Sequence, residues 1–221
     1  ARRHHEGIYD DDQRGLFEHW IQDGYFVVDS MIDTDLIDEM LADLDAIWNT
    51  DEAIEGLTVA EIRQAGEETP GESNWLSKPI RSGGGIGIET ASKATTSEGR
   101  YLQRFVDGVP ASALFIASEN EPSKRSLLLG ATEQLIGESW LGAAGFTYCG
   151  NLGPIELEEE TLREVGRAGA ATAAEFSLRG LFGLDFILTD DGPVFIELNP
   201  RYTGSVEVIE TSCGFATIPH H

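Results

Sequence analysis

The sequence predicts an α+β protein: a small α-rich N-terminal segment, residues 1–70, followed by a domain built on antiparallel sheet, residues 71–221. Apolar residues recur at helical spacing between about 13 and 48, and β-branched and aromatic runs dominate from Trp75 onward. A polar stretch at 56–73, which contains a proline and a glycine, marks the candidate linker between the two parts.

Each element follows from its local pattern. "QRGLFEHWIQ" and the leucine-rich stretch after Thr34 predict two helices, with a short strand "YFVV" between them. A helix is expected at about 158–176, where glutamates occupy the first turn and favour the helix dipole. Strands are expected near 75–80, 86–90, 101–106, 111–118, 126–136, 181–189 and 193–198.

Composition excludes several classes of function. Thirty-nine acidic residues against fifteen basic ones give a formal net charge of −24, which repels nucleic acid and also fits a high-salt cytoplasm. No apolar run is long enough to cross a bilayer, and the start does not resemble a signal peptide, so a soluble protein without membrane partners is expected. Two cysteines suit a reducing, cytoplasmic compartment, whereas the oligomeric state is not readable and a homo-oligomer is compatible with the sequence.

The most informative segment is "GLFGLDFILTDDGPVFIELNPRYTGS", residues 180–205. Two strand-like runs flank Asp-Asp-Gly, which predicts a hairpin loop. Pairing Thr189 with Pro193 would pair Ile187 with Phe195 and Asp185 with Glu197. Since side chains alternate between faces, Asn199 shares the face of the two acids. The opposite face is then wholly apolar, with Leu184, Phe186, Leu188, Val194, Ile196 and Leu198.

Two carboxylates and an amide on one strand face offer hard oxygen ligands suited to Mg²⁺. Asp185, Glu197 and Asn199 are therefore candidate metal ligands, and Arg201 is well placed to hold a phosphate oxygen beside them. The alternative is a cross-strand acid pair at the sheet edge of an acidic protein.

A glycine-rich loop in "NWLSKPIRSGGGIGIET", residues 74–90, follows a candidate strand that ends in Lys78. The loop is not a Walker loop, and no clear helix follows it as in a dinucleotide fingerprint. By itself it is either a phosphate-binding loop or a flexible turn. A basic residue beside it favours the first reading, because only three lysines occur in the chain.

Three segments together resemble the ATP-grasp superfamily over about residues 73–212. These are "WLSKPIRSGGGIGI" for its lysine and glycine loop, "YLQRFVDGVPASALFIAS" for its hinge strand, and "LDFILTDDGPVFIELNPR" for its last motif. "NPRYTGSVEV" is similar to a branch of predicted ATP-grasp carboxylate–amine ligases.

The resemblance implies a role for each matching residue. Lys78 would contact the α and β phosphates, and Arg201 would stabilise the transferred phosphoryl group, the two being the candidate catalytic residues. Asp185, Glu197 and Asn199 would coordinate Mg²⁺, or Mn²⁺ in its place, with Glu197 bridging two ions. The phosphates and the adenine would be held by Ser82, Gly83, Gly84, Gly85 and Gly87 of the loop and by Gln103, Arg104, Phe105 and Val106 of the hinge.

The implied reaction is ATP-dependent ligation. A carboxylate attacks the γ-phosphate of ATP, and an amine or thiol then displaces phosphate from the acyl phosphate. The partners are thus ATP, a small carboxylate and an amine or thiol.

Two rival interpretations remain open. "FEHWIQDGYFVVDSMIDTDLIDEMLADLDAIW" resembles the N-terminal segment of the phytanoyl-CoA dioxygenase family over about 13–57, which invites an Fe(II) and 2-oxoglutarate oxygenase. The only H-x-D/E pattern is His4-His5-Glu6, so the iron triad has little support. A nucleotide-binding protein without turnover is the second rival, because no first ATP-binding lysine is recognisable and Pro110 stands where relatives place a ribose-binding acid.

Overall fold

A computed structural model describes residues 57–63, 74–91, 99–117 and 126–217, all of which lie in the compact unit formed by 54–221. The helices and strand expected before residue 49 lie outside the described residues. The dioxygenase-like segment at 13–57 also does, apart from Leu57. Within the described ranges, no helix has the length and apolar character needed to cross a membrane.

The described elements follow one another as nine strands and two α-helices, with a short 3₁₀ turn at Ser139–Leu141. The strands are β1 (Ile62–Arg63), β2 (Trp75–Pro79), β3 (Glu89–Ala91), β4 (Arg100–Arg104), β5 (Val109–Ala117), β6 (Ser126–Ile136), β7 (Tyr148–Leu152), β8 (Gly180–Thr189) and β9 (Gly192–Asn199). The helices are α1 (Glu159–Glu175), between β7 and β8, and α2 (Ser205–Cys213), after β9.

The strands form two antiparallel sheets. A four-stranded sheet has the order β1-β4-β2-β3, and a five-stranded sheet has the order β7-β6-β5-β8-β9. The predicted α+β class with an antiparallel lobe is therefore confirmed. β1, β7 and α2 were not predicted from the sequence.

The main core lies between α1 and the five-stranded sheet. Phe115 and Phe182 stack with ring centroids 5.0 Å apart, and Val165 of the helix is fully buried against this cluster. Helix α1 lies very close to the sheet at Gly169, where a Cβ atom would lie only 2.1 Å from the Phe115 ring. A glycine at this point lets the helix sit directly on the aromatic layer.

The segment 57–63 joins the two sheets, although its sequence predicted a polar linker. The amide of Phe195 donates to Thr58 O at 2.8 Å, and the amide of Ala60 donates to Phe195 O at 2.9 Å, as in a parallel pair along the free edge of β9. Three residues later the same segment becomes β1 and pairs with β4. Its backbone hydrogen bonds are thus shared between both sheets, which a local polar composition does not reveal.

The β8–β9 hairpin has the predicted pairing of Asp185 with Glu197, but the predicted pairings of Ile187 with Phe195 and of Thr189 with Pro193 are wrong, since Thr189 pairs with Gly192. Phe195 pairs with Phe186, and the register shifts between Asp185 and Phe186. Ile196 is therefore the extra residue of a β-bulge. Because of the bulge, Phe195 enters the core and Ile196 turns toward a cavity, rather than joining the predicted apolar face.

Candidate functional site

A cavity of about 350 Å³ lies between the two sheets. β2, β4 and the glycine loop contribute its walls on one side, and the face of the five-stranded sheet opposite α1 contributes the other. The structure brings most of the predicted site residues to this cavity, namely Lys78, Gly84, Gly85, Gln103, Arg104, Phe105, Val106, Asp185, Glu197, Asn199 and Arg201. Ser82, Gly83 and Gly87 do not line it.

A row of polar residues crosses the cavity face of the five-stranded sheet. In register, Glu197 of β9 pairs with Asp185 of β8, which pairs with Ser112 of β5. Gln134 of β6 and Asn151 of β7 form the next pair along the row. Each strand of the sheet therefore contributes a hydrogen-bonding side chain to one surface, while the opposite face is apolar core.

Asp185 lies near the middle of this row, between Glu197 and Ser112. Its Oδ2 accepts a hydrogen bond from Asn199 Nδ2 at 3.1 Å, and the side chains of Ser112 and Gln134 also hydrogen-bond to it. Burial raises the pKa of the Asp185 carboxyl, and these hydrogen bonds together with Arg201 oppose that shift. A carboxylate has about four lone-pair sites, so three donors leave Asp185 about one further site for a cation.

Asn199 connects this carboxylate to Arg201. While Asn199 Nδ2 donates to Asp185, its Oδ1 accepts from Arg201 Nη2 at 3.1 Å. Arg201 Nη1 also donates to Tyr202 O at 3.1 Å, so the guanidinium is held at the edge of the cavity. The buried amide therefore fixes the spacing between an acid and a base.

The two acids repel each other across the paired strands. Burial raises the pKa of the Glu197 carboxyl, the charge of Asp185 raises it further, and Lys78 and Arg201 act in the opposite direction. Lys78 is itself buried, and this burial lowers its pKa despite the attraction of both carboxylates. For the Glu197 carboxyl, Lys78 and Arg201 therefore oppose the rise in pKa that burial and the charge of Asp185 cause, but they do not cancel it.

These residues fit a divalent cation. Glu197, the remaining site on Asp185 and Asn199 Oδ1 are hard oxygen ligands, and a cation would relieve the repulsion between the two acids. Among the described residues, no group of three or more His, Cys, Asp or Glu could hold a metal. Two carboxylates and an amide match Mg²⁺, which takes its other ligands from water and phosphate oxygens.

The glycine loop is folded onto the segment that leads into β7. The amide of Tyr148 donates to Gly84 O at 3.0 Å. Gly85 has a φ of +76°, and a Cβ there would lie 1.7 Å from Phe146 O, so only glycine permits this contact. Outside the cavity, Ser82 Oγ donates to Ile86 O at 2.6 Å and Arg100 Nη2 donates to Gly87 O at 2.7 Å, which shapes the loop.

Gln103 lines the cavity and also ties the sheets together. Its side chain is 1% exposed, and Nε2 donates to the carbonyl of the bulged residue Ile196 at 2.9 Å. This bond uses Nε2 and leaves the side-chain amide oxygen of Gln103 for a second partner.

Several cavity residues were missed in the sequence, and the polar ones among them include Ser112, Gln134, Tyr148 and Asn151. Ser112 interrupts an otherwise apolar strand, which is the signal that could have found it, whereas Gln134 follows Thr132 and Glu133 and carries no such signal. The aromatic residues of the Gly-rich stretch at 137–153 divide into two groups. Phe146 and Tyr148 line the cavity, whereas Trp140 does not line it and is 72% exposed.

The comparison with known families decides the identity of this fold. The sequence model of the ATP-grasp domain matches residues 48–205, more than half of the 221-residue chain. The chain belongs to the ATP-grasp family. The earlier resemblance over 73–212 is thus confirmed as to family, and the match begins well before the glycine loop.

Several solved structures share this fold. An ATP-grasp superfamily protein from Archaeoglobus fulgidus has a TM-score of 0.56 and 24% identity, covering 73% of this chain and 46% of its own. Biotin carboxylase from Campylobacter jejuni, in its complex with β-γ-ATP, has a TM-score of 0.55 and 15% identity, covering 74% and 41%. L-amino acid ligase from Bacillus licheniformis has a TM-score of 0.52 and 18% identity, covering 70% and 40%.

At these identities the likeness shows the shared fold. This ATP-grasp chain spans less than half the length of each of the three proteins.

Proposed function

We propose that this ATP-grasp protein binds Mg-ATP in the cavity between its sheets and uses it to activate a carboxylate for ligation. The observation that carries the proposal is that Lys78, the glycine loop and the Asp185–Glu197 pair meet in one cavity. A triphosphate needs cationic and amide donors on one side and a hydrated divalent cation on the other. The cavity contains residues that suit both roles.

The hinge between β4 and β5 is the proposed adenine site. Phe105 and Val106 supply apolar surface there, and the amide oxygen of Gln103 is available beside them. Lys78 and the loop from Gly84 then face the phosphates. Mg²⁺, held by Glu197, Asp185 and Asn199, would neutralise the charge that develops on the phosphate oxygens.

The chemistry expected of the protein's own residues is positioning and charge stabilisation. A carboxylate oxygen of the second substrate attacks the γ-phosphorus, and the bond between that phosphorus and the bridging oxygen of ADP breaks. Arg201, fixed by Asn199, stabilises the transferred phosphoryl group. An amine or thiol then attacks the acyl carbon, and phosphate leaves.

The fold relatives support this reaction class. One is an L-amino acid ligase and another is a biotin carboxylase bound to an ATP compound, so this fold accommodates both the nucleotide and acyl-group chemistry. In this chain the carboxylate and the acceptor remain to be identified.

The nucleotide site is tested by calorimetric titration with Mg-ADP. Glu197→Gln should weaken Mg-ADP binding at least tenfold and reduce its dependence on Mg²⁺, because a neutral amide attracts a divalent cation less strongly than a carboxylate does. Asp190→Asn is the matched control, since it removes an exposed acid from the turn of the same hairpin. Equal affinities in all three proteins would refute the metal assignment.

Ligation is tested separately by phosphate release from ATP. The protein is incubated with Mg-ATP and each of the twenty L-amino acids, alone and in pairs, and with hydroxylamine to trap an acyl phosphate. Release that depends on one carboxylate supports ligation. Tight Mg-ADP binding without release under any of these conditions would instead favour a nucleotide-binding protein without turnover.

A further inference from the structure

Tyr148 lines the cavity, and its hydroxyl group lies beside Gly204. The residue begins β7, the edge strand opposite β9 in the five-stranded sheet, and it lines the cavity near the start of α2. A Cβ atom at Gly204 would lie only 2.4 Å from the Tyr148 hydroxyl oxygen. The absence of a side chain at Gly204 is what lets this hydroxyl reach between β7 and α2.

A chain of hydrogen bonds fixes the direction of the Tyr148 hydroxyl. Thr132, which is fully buried, donates from Oγ1 to Asn151 Oδ1 at 3.2 Å. Asn151 Nδ2 in turn donates to the Tyr148 hydroxyl oxygen at 2.6 Å. Because Thr132 occupies the amide oxygen, Asn151 presents its NH₂ group to the tyrosine, and the phenolic oxygen must act as the acceptor.

The phenolic proton is therefore left for a partner in the cavity. Among the described residues, no group accepts a hydrogen bond from it. Burial raises the pKa of the Tyr148 phenol, and the negative charge of Asp185 raises it further. At neutral pH the group is consequently an uncharged donor with one unused proton.

The backbone of Tyr148 holds the ring in place while its hydroxyl faces the cavity. Its amide donates to Gly84 O in the glycine loop. The residue is thus anchored on one side by the loop and on the other by Asn151. A donor that is fixed in this way costs little entropy when a ligand arrives.

We propose that Tyr148 donates a hydrogen bond to the carboxyl oxygen of the second substrate, the carboxylate that ATP activates, and so determines specificity for that substrate. The proposal rests on the function proposed above. Lys78, the glycine loop and Arg201 supply the cations and amides for phosphate oxygens, and the metal-binding acids lie on β8 and β9. A neutral donor across the sheet from them suits a carbonyl or carboxylate oxygen instead.

The test uses acetonylphosphonate, a stable analogue of an acyl phosphate in which a methylene group replaces the bridging oxygen. It is titrated into the protein saturated with Mg-ADP, and binding is measured by calorimetry. Tyr148→Phe keeps the aromatic ring and the backbone hydrogen bond to Gly84 O but removes the hydroxyl donor. We expect its affinity for acetonylphosphonate to fall about tenfold or more, with Mg-ADP affinity within about twofold of wild type.

A second pair of variants separates this role from a structural one. Asn151→Asp places an acceptor on both sides of that side chain, so the Tyr148 proton turns toward residue 151 and away from the cavity. Asn151→Asp should weaken acetonylphosphonate binding when Tyr148 is present. It should have much less effect in the Tyr148→Phe background, because both substitutions remove the same hydrogen bond to the ligand. Tyr202→Phe, a half-exposed tyrosine outside the cavity, is the control and should bind as wild type does.

Several results would overturn the proposal. They are a wild-type Mg-ADP complex that does not bind acetonylphosphonate, a Tyr148→Phe variant that binds it equally well, fully additive effects of the two substitutions, or a parallel loss of Mg-ADP affinity. Failure of the wild-type protein to bind Mg-ADP at all would be a different result, since it would refute the nucleotide site itself.

Discussion

The side-chain amide of Gln103 donates to the carbonyl of Ile196 at 2.9 Å, and this bond joins the two sheets at the cavity between them. Ile196 is the extra residue of the β9 bulge, so its carbonyl does not serve the β8–β9 ladder. Gln103 thus satisfies a group that the bulge has released, at a position where it is itself almost completely buried.

Gln103→Met should therefore destabilise the protein. The substitution keeps the volume of the side chain but leaves the Ile196 carbonyl unpaired, which costs about 1–3 kcal/mol. Urea denaturation with and without Mg-ADP measures the effect. If the residue serves only as an adenine ligand, the unliganded protein will unfold at the wild-type urea concentration and only the nucleotide-dependent gain will be lost.

The glycine loop offers a matched pair of substitutions. Gly85→Ala brings a Cβ atom within 1.7 Å of Phe146 O at a positive φ, whereas a Cβ at Gly83 meets nothing within 4 Å. We expect Gly85→Ala to release the loop, to speed hydrogen exchange at the Tyr148 amide and to weaken Mg-ADP binding about tenfold. Gly83→Ala should leave both measurements near wild type. Slow exchange at Tyr148 in both variants would show that the docked loop tolerates a side chain at position 85.

The burial of Tyr101 predicts that the free energy of unfolding falls at alkaline pH. Burial raises the pKa of Tyr101 to about 12, and the charge of Glu197 acts in the same direction. An unfolded tyrosine ionises near pH 10, so the stability that the neutral phenol contributes is complete below pH 10 and is lost as the pH rises toward 12.

Denaturation at pH 9 and pH 11 tests this dependence. Between these two pH values the free energy of unfolding should fall by about 1 kcal/mol more in the wild type than in Tyr101→Phe. An equal fall in the two proteins would mean that the folded state does not hold this phenol in its neutral form.

Helix α1 contains two glycines, and we expect their substitution by alanine to change the free energy of unfolding in opposite directions. Gly166 has open space around its Cα, whereas a Cβ at Gly169 would lie 2.1 Å from Phe115, whose ring is stacked on Phe182. Gly166→Ala should raise the free energy of unfolding by about 0.5–1 kcal/mol, because alanine favours a helix. Gly169→Ala should lower it by about 1–3 kcal/mol through overpacking. Thermal denaturation of both variants will show whether the signs differ as expected.

Local patterns in the sequence predict much of this fold. Runs of β-branched and aromatic residues on both sides of the Asp-Asp-Gly turn suffice to predict both strands of the hairpin and the pairing of Asp185 with Glu197. The bulge at Ile196 is not local: it is accommodated because Phe195 exchanges backbone hydrogen bonds with residues 58–60 and because Gln103 satisfies Ile196. Contacts between distant segments carry no signature in the hairpin sequence itself.

The elements that escaped prediction have compositions that point to another structure. α2 reads "SVEVIETSC", whose β-branched residues alternate with polar ones as in a strand. β7 lies in a glycine-rich stretch, and Gly150 adopts a φ of +149° inside it. Tyr148 and Asn151 were missed with it, because a cavity residue on an unrecognised strand cannot be assigned to a face.

Residues 57–63 hydrogen-bond to both sheets, so any shortened form of this protein needs to retain them. A fragment that begins at residue 71, where composition alone would divide the chain, loses the backbone partners of Phe195 on one sheet and of β4 on the other. The edge of β9 would then be open to aggregation. Expression of the ATP-grasp lobe by itself should therefore start upstream of Leu57.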